Sequence, residues 1–345
     1  MSRIRESFPK NLKKIPMWLP YLKTIEHLGG QKFRFTYNGG VEECELDELH
    51  SIMIYGDYGS LQTEILESIA RKGIPILLHR RNVAAPIYIT VPFRHTNKDV
   101  LTAQLFARMH RKRATYIVRQ ILKAKFYSMR WLIKPADIPR TFSIEEMRIL
   151  EAKHSKKYWR RFFDSLGLRA WRRHNTAIKS ALDACSKFLI GIILRWITYH
   201  HLSPFHGFLH RPTEYPGLCY DLLEPYRGEF DKVIYKVLAK VKKPDQNKSI
   251  VGMAINELKQ ALDEKVYTGV TRQIVTRHEL LHGIVLALRA YLLGEMKRFL
   301  IPTVDKPNGG RPKKITFKLY GRHAGRTDCW KEAKQISGSY EILKK

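Results

Sequence analysis

The spacing of apolar residues changes near residue 95, and this change limits the folds open to the chain. Before it, short runs of β-branched and aromatic residues such as KFRFTY and SIMIY are separated by Gly-Gly and Gly-Asp turns, as is typical of strands. After it, apolar residues recur at helical spacing, as at Leu101, Leu105 and Met109. Further helices are predicted at about 143–166, 176–200, 226–242 and 271–299.

These two patterns predict an α+β protein, with a small N-terminal β-rich domain followed by a larger all-α domain. We place the β-rich domain at residues 1–95 and the helical domain at residues 96–302. Residues 303–345 are rich in Lys, Arg and Gly, and we interpret them as a basic, partly ordered C-terminal tail.

The charge balance indicates a polyanionic partner. The chain has 62 Lys and Arg residues against 32 Asp and Glu residues, a formal net charge of +30. Contacts of Lys and Arg with phosphates release counterions and dominate affinity, so an excess of this size favours nucleic-acid binding. A ribosome-like structural role or simple solubility would also produce a basic chain.

Cysteine use and the length of the apolar runs bear on where the protein works. The four cysteines are scattered without a C-x-x-C pair, which fits a reducing cytoplasm and offers no structural zinc site. No signal peptide is visible, and the apolar run FLIGIIL is far shorter than the ~20 residues that a membrane span needs. We therefore expect a soluble cytoplasmic protein.

One short motif suggests a zinc enzyme. His278, Glu279 and His282 have the H-E-x-x-H spacing of zinc metalloproteases, in which two imidazoles hold the metal and the glutamate activates its water. The nearby carboxylate that could complete the site, Glu295, follows His282 by only 13 residues on the same helical run. Structural histidines on a half-buried helix explain the motif better, and a zinc metalloprotease remains the alternative from a different class.

A second group of residues matches a divalent-metal site. His210 lies on a loop bounded by Gly and Pro, and Asp221 and Glu224 follow within 14 residues. The two acids are three positions apart, so they would face the same way on a helix. One imidazole with carboxylate oxygens suits Mn²⁺ or Mg²⁺, of which manganese tolerates the histidine better. The same spacing fits a helix-start capping pattern, and spacing alone does not decide between the two.

A third segment, LEAKHSKKYWRRFF, begins with an acid, Glu151, and continues with bases and aromatic residues. Basic residues interleaved with aromatic rings suit a phosphate backbone and unpaired bases. A solvated helix face is the commoner fate of a charged run, but this run carries charge of one sign, which favours binding.

The second and third of these segments together resemble the signature of the CRISPR-associated integrase family, which inserts new spacers into CRISPR arrays. GFLHR followed by YDLLEPYR is similar to the family's G-F-h-H and h-D-h-h-E/D-x-h-R, where h is apolar, and LEAKHSKKYWRRFF resembles a helix that begins with an acid. The resemblance covers roughly residues 22–302. It departs at residues 182–189, where LDACSKFL lacks a glycine and the aromatic residues, and the basic tail has no counterpart.

The resemblance implies a metal-dependent DNA endonuclease and integrase. Glu151, His210 and Glu224 would be the catalytic residues and would ligate one Mg²⁺ or Mn²⁺, with Asp221 as an auxiliary ligand or a carboxylate behind the ligands. The 3′-OH of an incoming DNA fragment would attack repeat DNA directly, without a covalent protein–DNA intermediate. Phosphate contacts near the site would come from Lys153, Lys157, Arg160, Arg161 and Arg211.

The family also implies partners and a setting. The substrates would be double-stranded DNA with 3′-OH ends and CRISPR repeat DNA, in a prokaryotic cytoplasm. The N-terminal domain would form a homodimer, and a small CRISPR adaptation protein would be a further partner. A transposon-encoded integrase of the same family is an alternative with the same chemistry, and a non-catalytic nucleic-acid-binding protein with this fold is another.

Overall fold

A computed structural model describes residues 14–57, 59–80, 86–89, 98–168, 176–241, 249–307, 319, 322 and 323. The chain divides into two compact units, residues 1–92 and 93–345. The first unit is β-rich and the second is mostly helical, so the predicted fold class is confirmed.

The N-terminal unit contains two sheets. A mixed sheet has the strand order β1-β5-β6-β7, formed by Ile15–Pro20, Leu49–Tyr55, Ile76–His79 and Ile87–Ile89, with β1–β5 and β5–β6 parallel. An antiparallel meander contains β2, β3 and β4, formed by Thr24–Gly29, Lys32–Tyr37 and Gly40–Glu45. Helix α1, Thr63–Arg71, connects β5 to β6.

The core of this unit follows from the sequences of β5 and α1. All seven residues of β5, LHSIMIY, are buried, because a strand with parallel neighbours on both sides is covered on both faces. Helix α1 buries Ile65 and Ile69, which are four positions apart on one helical face. The chain then turns at Gly73, whose φ of +70° is the left-handed conformation that ends many helices.

The second unit is built mainly from eight helices in the residues described. They are α2 (Lys98–Met109), α3 (Arg111–Ser128), α4 (Ile144–Ser165), α5 (Thr176–Tyr199), α6 (Gly217–Leu223), α7 (Arg227–Lys240), α8 (Ile250–Asp263) and α9 (Arg277–Leu292). Helix α5 contacts α6, α7, α8 and α9, and its apolar segment around Ile190 and Ile193 is fully buried. None of the helices described combines the length and the apolarity that crossing a bilayer would require.

The second half of this unit contains strands, whereas the sequence predicted an all-α domain. The helix expected over 271–299 begins only at Arg277, because Gln273–Thr276 forms a strand, β9, that pairs with Lys265–Thr268, β8. The β-branched residues of this short segment suit a strand. Helix α9 ends at Leu292, shortly before Gly294 with φ of +75°. Helix α8 was not predicted.

Described residues after Pro302 pack on the helical unit. The carbonyl of Val304 accepts a hydrogen bond from Arg130 Nη2 at 2.8 Å. The backbone of Leu319 exchanges two hydrogen bonds, of 2.9 and 3.3 Å, with the side chain of Gln273. A short strand β10, Arg322–His323, pairs with β9. These parts of the predicted basic tail therefore belong to the second unit.

The start of α7 approaches the end of α3 closely at Gly228. Its N–H donates to Ser128 Oγ at 3.1 Å, and its carbonyl accepts from Trp131 Nε1 at 2.9 Å. A Cβ at this position would lie 2.4 Å from the Ser128 carbonyl oxygen and 2.7 Å from the Met129 nitrogen. Only glycine therefore allows this approach.

We expect Gly228→Ala to lower the free energy of unfolding by about 1–3 kcal/mol, the usual effect of overpacking against backbone. Chemical denaturation measures it. The control is Gly252→Ala in α8, where a Cβ meets nothing within 4 Å. That change should stabilise the protein, since glycine within a helix costs roughly 0.5–1 kcal/mol relative to alanine. Equal effects of the two changes would contradict the close approach at Gly228.

Candidate active site

The start of α4 determines where Glu151, the first acid of the site, lies. Ser143 and Glu146 form a capping box there: Ser143 Oγ accepts from the Glu146 N–H at 3.2 Å, and Glu146 Oε2 accepts from the Ser143 N–H at 2.7 Å. Glu151 lies two turns beyond the cap and keeps 25% of its side chain exposed. His154 and Tyr158 occupy the buried face of the same helix.

A second acid, Asp221, holds the loop that carries His210. Its carboxylate accepts from the backbone N–H groups of Phe208, Leu209 and His210 at 2.5, 3.0 and 2.9 Å. It also lies 2.7 Å from His210 Nδ1. An ionised carboxylate only accepts hydrogen bonds, so Nδ1 carries a proton, and in the neutral imidazole Nε2 then presents its lone pair.

Asp221 therefore orients His210 in this structure. Burial acts against protonation of His210, but the hydrogen bond and charge of Asp221 outweigh it and raise the pKa of the imidazole. A carboxylate behind a histidine is the usual arrangement around metal-ligating imidazoles. The role of Asp221 at a metal, as an auxiliary ligand or as a carboxylate behind the ligands, stays a prediction.

Helix α2 holds the same loop from the other direction. The Gln104 side-chain amide donates to the Ser203 carbonyl at 2.9 Å and accepts from the Ser203 N–H at 2.8 Å. Arg108 donates to the carbonyls of Gly207 and Arg211 at 2.9 and 2.7 Å. Neither Gln104 nor Arg108 was predicted to contribute to the site, because the loop lies about a hundred residues further along the chain.

Two glycines allow the loop to fold tightly around His210. A Cβ at Gly207 would lie 2.4 Å from the His210 carbonyl oxygen, and a Cβ at Gly217 would lie 2.3 Å from the same atom. Any side chain would therefore displace the backbone that carries the imidazole. These glycines in the segments HGF and PGL are the sequence signal of a tight loop.

Two acids from distant segments meet at one buried cation. Lys125 Nζ of α3 lies 2.5 Å from Glu151 Oε1 and 2.5 Å from Glu224 Oε2. Glu224 is in the 3₁₀ turn Glu224–Tyr226 that follows α6. Since both oxygens lie 2.5 Å from the same nitrogen, they are no more than about 5 Å apart.

Electrostatics stabilise this ion cluster against the cost of burial. Burial acts to raise the pKa of Glu224, but Lys125 and then Arg227 outweigh it and bring the pKa to about 2. Burial likewise disfavours the Lys125 ammonium, while Glu224 and Glu151 overcome it and raise the pKa of Lys125. Both groups are therefore charged across the physiological range.

Lys125 was not predicted to be part of the site, because in the sequence it looks like one more base on a basic helix. A signal for it exists, because Ile117, Ile121 and Lys125 are four residues apart and share one face of α3. Both isoleucines are fully buried. A lysine in the apolar stripe of a helix needs an anionic partner, since a buried unpaired charge is costly.

The structure brings Glu151 and Glu224 together, with His210 close enough to interact electrostatically with Glu224. In the residues described, no cluster of three or more His, Cys, Asp or Glu side chains is arranged to hold a metal ion. A cation nevertheless occupies the point between the two acids, in the form of the Lys125 ammonium. Two carboxylates and an imidazole are a donor set that fits Mg²⁺ or Mn²⁺, and metal ligation by Glu151, His210 and Glu224 stays a prediction.

The predicted DNA contacts on α4 lie on its exposed face. Lys153, Lys157, Arg160 and Arg161 are all exposed, and Arg161 is ten residues beyond Glu151 on the same helix. Arg211, next to His210, is also exposed. DNA binding by these five residues stays a prediction.

The H-E-x-x-H residues have another explanation. Glu279 closes a capping box at the start of α9, where Glu279 Oε2 accepts from the Thr276 N–H at 2.7 Å. His282 Nε2 lies 2.7 Å from His200 Nε2, and its ring stacks on Trp196 at 3.7 Å. The motif therefore serves to begin a helix and to pack it against α5.

We expect Asp221→Asn to destabilise the site loop. An asparagine presents one acceptor oxygen and one NH₂ donor, so in either orientation a donor faces N–H groups that Asp221 now satisfies. The free energy of unfolding should fall by about 1–3 kcal/mol or more, measured by chemical denaturation. Glu214→Gln, at an exposed position of the same loop, is the control. A loss no larger than that of the control would show that Asp221 does not organise the loop.

The His200–His282 pair makes stability depend on pH. Burial lowers the pKa of His200 to about 3 and lowers that of His282 well below its usual range. The unfolded chain takes up these protons near pH 6.5 and the folded chain does not, so stability is lost as pH falls from 6.5 towards 3.

His282→Gln should reduce the slope of unfolding free energy against pH by about 1.4 kcal/mol per pH unit between pH 4.5 and 6. Urea unfolding at several pH values measures the slope. His110→Gln, which removes an exposed imidazole from the same unit, is the control. An unchanged slope in the His282 variant would contradict a neutral buried pair.

Comparisons with known proteins relate this site and fold to one family. The family model described as CRISPR associated protein Cas1 matches residues 24–140 and 134–264. Glu151, His210, Asp221 and Glu224 all lie within the matched residues. No curated protein matches the chain.

Solved structures share the fold at low sequence identity. A casposase bound to integration product is 19% identical with a TM-score of 0.68, and the match covers 95% of this chain and 99% of that chain. A Cas1 protein from Thermotoga maritima is 17% identical with a TM-score of 0.67, over 82% of this chain and 98% of that chain. A Cas6-RT-Cas1–Cas2 complex matches at 13% identity and a TM-score of 0.68, over 86% of this chain and 36% of that chain. Because the family model spans most of the chain and includes all four acid and histidine positions of the site, the chain belongs to the Cas1 family of CRISPR-associated proteins.

Proposed function

We propose that the protein is a divalent-metal-dependent DNA integrase and endonuclease that joins the 3′-OH ends of spacer DNA to CRISPR repeat DNA. The observation that carries the proposal is the convergence of Glu151 and Glu224 on one buried cation, beside a histidine oriented by Asp221. Such a donor set suits Mg²⁺ or Mn²⁺. The net charge of +30 supports a polyanionic substrate.

The proposed reaction is a direct transesterification. The chemistry that a divalent ion would supply there is polarisation of the target phosphate and stabilisation of charge on the entering and leaving oxygens. The donor 3′-oxygen forms a new bond to the target phosphorus, and the bond from that phosphorus to the target strand's own 3′-oxygen breaks. The proton of the attacking hydroxyl passes to the released one. One phosphodiester bond replaces another, so no covalent protein intermediate is needed.

Each residue of the site has a defined part in this proposal. Glu151 and Glu224 would hold the metal with their carboxylate oxygens, and His210 would offer Nε2, because Asp221 lies against Nδ1. Gln104 and Arg108 act as positioning residues, since they fix the backbone of the loop that carries His210. The exposed bases of α4 and Arg211 neutralise the DNA backbone near the site.

The proposed partners follow from the family and from the named relatives. We propose a homodimer formed through the β-rich domain and an association with a small CRISPR adaptation protein, in a prokaryotic cytoplasm. One structural relative is a Cas6-RT-Cas1–Cas2 complex, which supports a partner of that kind.

A second candidate uses the same chemistry on different DNA. The casposase match covers 95% of this chain, against 82% for the Thermotoga maritima protein. The higher coverage supports, as the second candidate, a transposon-encoded integrase that inserts its own element. Integration of oligonucleotides carrying spacer-like ends or transposon-like ends into plasmids with and without a CRISPR repeat separates the two.

We expect Glu151→Ala, His210→Ala and Glu224→Ala each to lower metal-dependent strand transfer by at least about 100-fold, because each removes a ligand of the ion that stabilises the transition state. The assay joins labelled DNA with 3′-OH ends to plasmid DNA in Mg²⁺ or Mn²⁺, and a chelator should abolish it. DNA binding in a gel-shift assay should largely survive. Near-normal integration by any one of the three variants would contradict its assignment.

The control tests the alternative metal motif. The double change His278→Ala with His282→Ala lies outside the proposed site and should retain strand transfer, apart from a loss of stability. A zinc-dependent peptidase activity that this double change removed would instead support the metalloprotease.

A further inference from the structure

Lys125 occupies the point where the two acidic side chains of the site meet. Its ammonium lies 2.5 Å from an oxygen of each acid, and only 7% of the side chain is exposed. Lys125 is held by α3, whose neighbouring residues Leu122 and Phe126 are fully buried. Its position is therefore set by the core of the unit and not by a surface contact.

The ammonium and a divalent metal would need the same place. Metal–oxygen distances for Mg²⁺ are about 2.1 Å, and the Lys125 nitrogen lies 2.5 Å from one oxygen of each carboxylate. A divalent ion held by both carboxylates would therefore compete with the ammonium for the same space. The two cations would also repel each other strongly in a buried site.

Charge balance gives the lysine a function in the metal-free protein. Two carboxylates within about 5 Å of each other repel, and Glu224 is almost completely buried. Arg227 contacts Glu224 Oε1 at 3.4 Å, on the other oxygen of that acid. Among the residues described, Lys125 is the cation that contacts both Glu151 and Glu224.

We propose that Lys125 is an internal counter-cation that holds Glu151 and Glu224 together in the metal-free protein and is displaced when the divalent metal binds. This inference rests on the proposed function, since it concerns the same acid pair. Metal loading is then an exchange of cations in a preassembled site. Lys125 lowers the apparent metal affinity because each metal ion must displace it.

The first experiment measures Mn²⁺ binding by the loss of the free-ion EPR signal, with Lys125→Met beside wild type. Methionine keeps a similar apolar length and removes the charge. The Mn²⁺ dissociation constant should fall by at least about tenfold, because one unit charge no longer competes for the ligands. The melting temperature of the metal-free variant should fall by several degrees, and Mn²⁺ should raise it by more than it raises that of wild type.

The matched control is Lys123→Met, an exposed lysine two residues earlier on α3. It should leave the Mn²⁺ dissociation constant and the melting temperature unchanged. Unchanged or weaker Mn²⁺ binding by Lys125→Met would overturn the inference, since a lysine with a purely structural part does not compete with the metal. If wild type and both variants bind no Mn²⁺, the proposed function fails as well.

A second experiment uses the wild-type protein and does not depend on folding of the variant. Acetic anhydride is added with and without saturating Mg²⁺, and acetylation of Lys125 and Lys123 is measured by mass spectrometry. Displacement predicts that Mg²⁺ increases acetylation of Lys125 several-fold and leaves Lys123 unchanged. Equal or lower acetylation of Lys125 in Mg²⁺, at a concentration shown to saturate binding, would overturn the inference.

Discussion

The ion cluster of Lys125, Glu151 and Glu224 is the interaction on which the site depends. Each member comes from a different segment of the helical unit, so the cluster exists only when α3, α4 and the turn after α6 are packed together. Burying these charges is expensive, and removal of one partner leaves an uncompensated charge. The energetic consequence is that the site and the packing of these three segments form together.

A second layer of contacts places the imidazole beside this cluster. Asp221 holds the loop from inside through its backbone N–H groups, while Gln104 and Arg108 hold its carbonyls from α2. The loop is therefore held by α2 on one side and by the carboxylate of α6 on the other. A histidine held in this way keeps one tautomer and one direction, which a ligand or a catalytic group requires.

Motif spacing was informative where its surroundings agreed with it. Glu151, Asp221 and Glu224 were identified from short patterns, and the structure brings the two glutamates to one buried point. His278, Glu279 and His282 form an equally clear pattern, yet Glu279 caps α9 and His282 stacks on Trp196. The second half of the helical unit was also harder to predict, because Gln273–Thr276 is short and adjoins a helix of similar apolarity.

By itself, the sequence determined the order of a β-rich unit and a helical unit, the excess of positive charge, and the candidate acids and histidine. The order of the units and the charge are properties of local periodicity and composition, while the acids and the histidine were singled out together by the resemblance to the CRISPR-associated integrase family. Only the tertiary structure decided that Lys125 contacts both glutamates, that Asp221 contacts the His210 imidazole, and that α2 holds the backbone of the loop. Such contacts join residues 11 to about a hundred positions apart, and only the packing of the chain brings them within hydrogen-bonding distance.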